Sequence, residues 1–213
     1  MWTKMAEYLG NNSIDILIQV RDHLVISLLA LFVAVLIGVP LGYLASKSKK
    51  AEKYYTVPFQ IFRVIPSLAI LVLLIPVMGT GIKPAMTALI ILAIPPIMLN
   101  TVVGFREVPE FMIECASGIG MTEKEILRKV RIPMALPMIF AGTRTGLIEI
   151  VASATLAAKI GAGGLGEIIF TGLGLNRPDL LIIGGVLVSG LSLGTGFVFD
   201  KITGRMLKYK VNG

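Results

Sequence analysis

The sequence predicts an all-α membrane protein that crosses the bilayer five times, with its N-terminus outside and its C-terminus in the cytoplasm. Three observations carry that prediction. Hydrophobic residues make up 55% of the chain and charged residues only 15%; several long stretches hold no formal charge at all; and Lys and Arg are partitioned between alternate connecting segments. A water-soluble core cannot absorb that much apolar surface, and these stretches are apolar all round instead of along one face. The 213 residues read as a single transmembrane domain, 1–213.

Ahead of the first span, Ile14, Leu17, Ile18 and Val20 mix with Asp15, Gln19 and Asp22. That pattern suits either a short amphipathic helix along the outer membrane surface or a frayed tail. No basic, apolar and small-residue leader pattern occupies Met1 to Val20, so the first span is expected to act as its own insertion signal. The spans are placed at 23–46, 58–79, 84–105, 133–158 and 179–200. Four rest on the charge-free stretches Leu24 to Ser46, Val64 to Ile82, Pro84 to Phe105 and Leu180 to Phe199. Each is roughly 20 residues, the length a helix needs to cross hydrocarbon. The fourth span is as apolar apart from Arg144 and Glu149.

Pro66 and Pro76 fall in the second span, and Pro95 and Pro96 in the third, each removing a backbone hydrogen bond where no water replaces it. Either these spans bend around a translocation path, which would bring Pro66 and Ser67 to it, or neighbouring helices accommodate ordinary kinks. In the fifth span, Gly190 and Gly194 have the spacing that allows two membrane helices to approach closely.

The orientation follows from the basic residues. Lys47, Lys49, Lys50 and Lys53, then Arg106, Lys124, Arg128, Lys129 and Arg131, then Lys201, Arg205, Lys208 and Lys210 all fall on one side. The other side holds only Lys4, Arg21, Lys83, Lys159 and Arg177. The richer side is the cytoplasmic one. The net charge of +7 is therefore spread beside membrane ends, where anionic lipid headgroups are its neighbours, and forms no continuous nucleic-acid-binding stripe. The one cysteine, Cys115, excludes an intrachain disulfide and a thiol-rich metal site. No catalytic nucleophile or metal-ligand cluster is recognisable, so no enzymatic activity is expected.

The cytoplasmic connection 106–132 is the most informative segment. Pro109 suits the start of a helix running through Glu110, Phe111, Met112, Ile113, Glu114, Cys115 and Ala116, with Gly118 or Gly120 free to take positive φ and end it. Thr122 and Glu125 have the spacing of a capping box, Glu125 can reach Lys129 one turn on, and Pro133 marks entry into the fourth span. Apolar Phe111, Met112 and Ile113 on the water side of a membrane protein call for a covering partner.

In this loop Glu114-Cys115-Ala116, Gly120 and then Val130-Arg131-Ile132-Pro133 resemble the Glu-Ala-Ala loop of permease subunits of ATP-binding-cassette importers. Cys115 stands where alanine is usual and Val130 where isoleucine is usual, and both keep a small or branched apolar group. The resemblance implies a type I importer permease fold in a bacterial plasma membrane. It also implies a coupling helix seated in a groove of a cytoplasmic ATPase dimer, with Phe111, Glu114, Cys115, Ala116, Gly118, Gly120, Met121 and Pro133 at the joint.

Downstream of the fourth span, Ala154 to Gly166 contains glycines at the dinucleotide-fingerprint spacing, but the run leaves a membrane span and lacks the strand that such a site needs. It resembles instead the permeases that import betaine, carnitine, choline and related osmoprotectants, as do Ile65-Pro66-Ser67-Leu68-Ala69 and Ala141-Gly142-Thr143-Arg144-Thr145. Arg63 departs from the small polar residue expected there, and it lies close enough to a span end to snorkel. By the same resemblance a separate binding protein docks on outer segments including Gly161 to Asp179, and a second permease chain, identical or related, completes the path. No P-loop is present, so ATP and magnesium belong to the partner ATPase and this chain carries no cofactor.

Arg144, Glu149 and Asn100 either surround the path or gate, together with Gly163 and Gly164, or form interhelical structural contacts. Arg144 is placed near the bilayer midplane, and Glu149 is five residues on, a poor spacing for pairing within one helix, so each charge needs a partner elsewhere. His23, at the outer edge of the first span, reads as a solvated interfacial residue with no assigned role. Two other functions remain open: a secondary transporter carrying protons on Glu149, or a pore.

Overall fold

The computed structural model describes residues 2–207, and within them the chain forms ten α-helices and no strand. The predicted tail cations Lys208 and Lys210 lie outside the described residues. In order the helices are α1 (Trp2–Asn11), α2 (Ser13–Ser46), α3 (Lys49–Val64), α4 (Ser67–Met78), α5 (Ile82–Arg106), α6 (Glu110–Gly118), α7 (Glu123–Ile126), α8 (Ile132–Ala157), α9 (Gly166–Gly174) and α10 (Pro178–Leu207). A π turn, Leu127–Arg131, joins α7 to α8, and a 3-10 turn, Ala158–Ile160, follows α8.

The bundle is built around α5, which packs against α2 on one side and α8 on the other. Leu89, Ile97 and Met98 of α5 are fully buried, in company with Ala30 and Ala34 of α2 and with Ile150 and Val151 of α8. Glycine is what lets three such helices touch. A Cβ at Gly42 of α2 would lie 2.5 Å from the Thr101 Cβ, and one at Gly142 of α8 would lie 2.7 Å from the Asn100 Cβ and 2.8 Å from the Pro96 carbonyl. Without a hydrophobic drive between helices in hydrocarbon, close backbone approach of this kind supplies the packing attraction.

Pro95 and Pro96 do not break α5, which runs unbroken from Ile82 to Arg106 with both prolines buried. Downstream of them, side chains add bonds to the helix's own carbonyls: Asn100 donates Nδ2 to Pro96 O at 2.9 Å, and Thr101 donates Oγ1 to Ile97 O at 2.7 Å. The second predicted span behaves differently. Residues 58–79 are not one helix, because Ile65 (ψ 125°) and Pro66 (ψ 136°) are extended between α3 and α4. A proline disfavours the α conformation at the residue before it, and here that preference prevails. The 12 residues of α4 measure about 18 Å, too short to cross hydrocarbon alone. Four helical segments are individually long and apolar enough: Ser13–Ser46, Ile82–Arg106, Glu123–Ile160 and Pro178–Leu207.

Three further features bear on the sequence expectations. Ile14 to Val20 do not fray but form the first turns of the 34-residue α2, with Ile16 buried against Leu165, Ile168, Leu180 and Ile183. Ahead of them stands an unforeseen helix, α1, whose Met5 and Tyr8 rest on that same cluster. Gly190 and Gly194 have no atom within 4 Å of an added Cβ. Within the chain the close contact of α10 falls at another glycine, Gly184, whose added Cβ would lie 2.5 Å from Ile169 Cγ1.

These contacts give opposite expectations for one substitution. Gly42→Ala should lower the melting temperature of the purified chain, with a cost of about 1–3 kcal/mol for overpacking, whereas Gly185→Ala, which meets nothing within 4 Å, should leave it unchanged or raise it.

Candidate functional site

The connection between α5 and α8 is a closed, rigid structure. Pro109 caps α6 from an extended conformation (ψ 132°), one position ahead of the first helical turn. At the other end Gly120 takes φ 85°, so that its own N–H reaches Ser117 O at 2.9 Å and the Met121 N–H reaches Ala116 O at 3.1 Å. This left-handed stop satisfies the last carbonyls of α6 and turns the chain back on itself. Thr122 and Glu125 then form the capping box of α7, and Glu125 pairs with Lys129 at 2.9 Å. The Lys129 ammonium, with help from Thr122, holds the Glu125 carboxyl down to about 2, so the lock is fully ionised at neutral pH and weakens only as pH falls towards that value.

Of the residues singled out in the loop, Ala116 is the buried contact, together with Val108 and Ile126 beneath it. Glu114, Cys115, Gly118 and Gly120 are exposed and Met121 is half-buried. Phe111 is 64% exposed and Ile119 75% exposed, with Met112 beside them, so α6 presents an apolar surface outward. Pro133 sits in the first turn of α8, just past the π turn. That turn had no sequence signal. Its bond runs from the Ile132 N–H to Leu127 O, five residues back, immediately before a proline that has no N–H to give.

At the far end of α8 the Ala154 to Gly166 run forms an elbow. Gly161, Gly163 and Gly164 have φ of 83°, 78° and 82°, which other residues rarely adopt. Gly164 is pressed against His23: an added Cβ would lie 3.1 Å from its Nδ1. His23 is only 1% exposed, not solvated as its position suggested, and its Nε2–H donates to Val151 O at 2.9 Å. It thereby ties α2, α8 and the elbow together. A lone histidine at a span edge gives no warning of this in sequence, because the contact joins residues 128 apart.

The remaining pathway candidates are dispersed. Pro66 and Ser67 mark the α3–α4 break. Asn100 lies in the α5–α8 contact, facing Gly142. Glu149 is half-buried on α8. Arg144 pairs with Asp200 of α10, Nε to Oδ1 at 2.6 Å. The partner outside its own helix is therefore identified, at a residue that sequence reading placed at the extreme end of the fifth span.

A helical bundle with a preformed loop at one end and a glycine elbow at the other defines a polytopic membrane subunit. The chain belongs to the family described as the binding-protein-dependent transport system inner membrane component, whose pattern matches residues 24–208. It is 40% identical over 202 residues to the carnitine transport permease protein OpuCB of Listeria monocytogenes, covering 95% of this chain and 93% of that one. It is likewise 40% identical over 194 residues to the choline transport system permease protein OpuBB of Bacillus subtilis, covering 91% and 89%. Among solved structures, inward facing conformations of the MetNI methionine ABC transporter superpose with a TM-score of 0.73 at 27% identity, covering 88% of this chain and 94% of that one. The chain is thus a non-catalytic inner-membrane permease subunit, and its family lends no support to a proton-coupled carrier built on Glu149.

Because Arg144 and Asp200 are each other's ion-pair partner, Arg144→Leu and Asp200→Leu should each destabilise the protein by about 0.5–1 kcal/mol, and the double variant by less than their sum. A thermal double-mutant cycle on the purified protein reads this directly.

Proposed function

We propose that this chain is the transmembrane permease of an ATP-driven importer of quaternary ammonium osmoprotectants such as glycine betaine, carnitine or choline. The observation that carries the reading is the end-to-end likeness, 40% identity over 95% of the chain, to a carnitine permease. A choline permease is matched almost as fully.

In this reading the membrane is crossed five times. α2, α5, α8 and α10 make four crossings, and α3 with α4, bent at Pro66, makes the other. The N-terminus lies outside and the C-terminus in the cytoplasm, as the excess of Lys and Arg beside the 106–132 loop supports. The exposed apolar face of α6, with Phe111, Glu114 and Cys115, seats in a cytoplasmic ATPase dimer. That dimer binds ATP and magnesium, and its movement reaches α8 through Gly120, the π turn and Pro133. A second permease chain, identical or related, lies across the path from this one. A binding protein delivers solute at the outer end, near the Gly161 to Asp179 segment. Pro66, Ser67, Asn100, Arg144, Glu149, Gly163 and Gly164 then line or brace the pathway.

Reconstitution tests the reading. Uptake of radiolabelled carnitine or choline into proteoliposomes should require ATP, the ATPase subunit and the binding protein together. Uptake that persists without ATP and follows a proton gradient would overturn it. Gly120→Val should reduce ATP-dependent uptake at least tenfold while the chain still inserts, because a β-branched residue at φ 85° costs about 1–2 kcal/mol and re-aims α6. Exchange of the binding protein for one of different specificity should change the solute imported.

A further inference from the structure

Two hollows on the outside of the bundle meet at Tyr43 and Leu127. One is a groove of about 520 Å³ between α2 and α8, walled by Leu36, Val39 and Pro40 on one side and Ile132 and Leu136 on the other, with Phe105 behind. Tyr43 alone among its lining residues carries a polar side-chain atom. The other hollow, of about 230 Å³, opens where α8 leaves the apolar region, and Lys124, Arg131 and Glu123 line it. Lys47 stands beside the junction, its Nζ 5.0 Å from the centre of the Tyr43 ring. Three cations therefore surround the mouth of the apolar groove against one carboxylate. Lys124 and Arg131 form no ion pair among the described residues.

We infer that this composite groove is a binding site for an anionic phospholipid, its acyl chain lying between α2 and α8 and its phosphate among Lys47, Lys124 and Arg131. An apolar channel that ends in clustered cations at the level of a membrane surface matches a molecule that is apolar along its length and anionic at one end. A neutral lipid fills the groove equally well but leaves the cations uncompensated, and a protein helix laid in it meets the mouth with its backbone instead of a phosphate. The groove runs along Leu127, which opens the π turn, and Ile132, which follows it. The occupant thus lies against the joint between the loop and α8.

The test is lipid retention by the intact complex purified with this chain, followed by native mass spectrometry during titration with phosphatidylglycerol or phosphatidylcholine. The result does not depend on which leaflet the site faces. Phosphatidylglycerol should be retained selectively. Lys124→Gln with Arg131→Gln should weaken its binding about 25-fold, at about fivefold per basic residue near the membrane surface, and leave phosphatidylcholine unaffected. Glu123→Gln should strengthen phosphatidylglycerol binding about fivefold, which keeps the test decisive should the double variant fail to assemble. Val39→Trp, which fills the groove, should reduce retention of both lipids. Equal retention of the two lipids by the unaltered protein, or a Glu123→Gln variant with unchanged affinity, would overturn the assignment. So would full cross-linking of Leu36→Cys to another protein chain, since the groove would then be covered.

Discussion

The structure depends on the contact between α5 and its two neighbours. Hydrocarbon gives apolar side chains no reason to prefer one another over lipid, so a bundle in it holds together by dispersion and by backbone proximity. Gly38 and Gly42 on α2, and Gly142 and Gly146 on α8, bring their backbones against the same segment of α5, from Ala93 to Thr101. That segment includes Pro95 and Pro96. A larger residue at Gly42 would push α2 away from α5, and one at Gly142 would push α8 away from it.

The ends of α8 carry two irregular connections of the chain. The 26 residues of α8 form an unbroken rod of about 39 Å. At one end the rod passes through a π turn into a loop whose conformation is fixed by a left-handed glycine, a capping box and an ion pair. At the other it passes through a 3-10 turn into an elbow fixed by positive-φ glycines and by the buried His23. Both connections are rigid locally and irregular in backbone. Displacement applied to the loop therefore has a continuous covalent and packed route to the opposite end of the bundle.

What was legible in the sequence follows the range of the forces involved. Helix positions depend on local composition, and the helices Ser13–Ser46, Ile82–Arg106, Ile132–Ala157 and Pro178–Leu207 lie over four of the apolar stretches, as the α6 stop, the Thr122 box and the Glu125–Lys129 pair lie where their local signals fall. Features decided by contacts between distant residues did not. Asp200 as the partner of Arg144, the burial of His23, and the exposure of Gly190 and Gly194 all depend on how α10 and α2 are set against α8. The small-residue spacing in α10 was real, but spacing identifies only a face that is able to approach closely. It does not say what lies opposite.

The break at Pro66 shows the same division within a single element. Pro76 and the Pro95–Pro96 pair carry the same local penalty as Pro66, yet only at Pro66 does the helix end. Around Pro95 and Pro96, α2 and α8 hold α5 on both sides, and burial of the whole segment outweighs the lost hydrogen bonds. Around Pro66 the chain is more open, with Val64 83% exposed and Leu68 42%, so little packing opposes the break; exposure alone does not impose one, since Pro76 is exposed beside Val77, itself 82% exposed, and stays within α4. The break separates α3 from α4, whose Ile70 and Leu71 are buried in one cluster with Ala85, Ala88 and Leu92 of α5 and Ala157 at the end of α8.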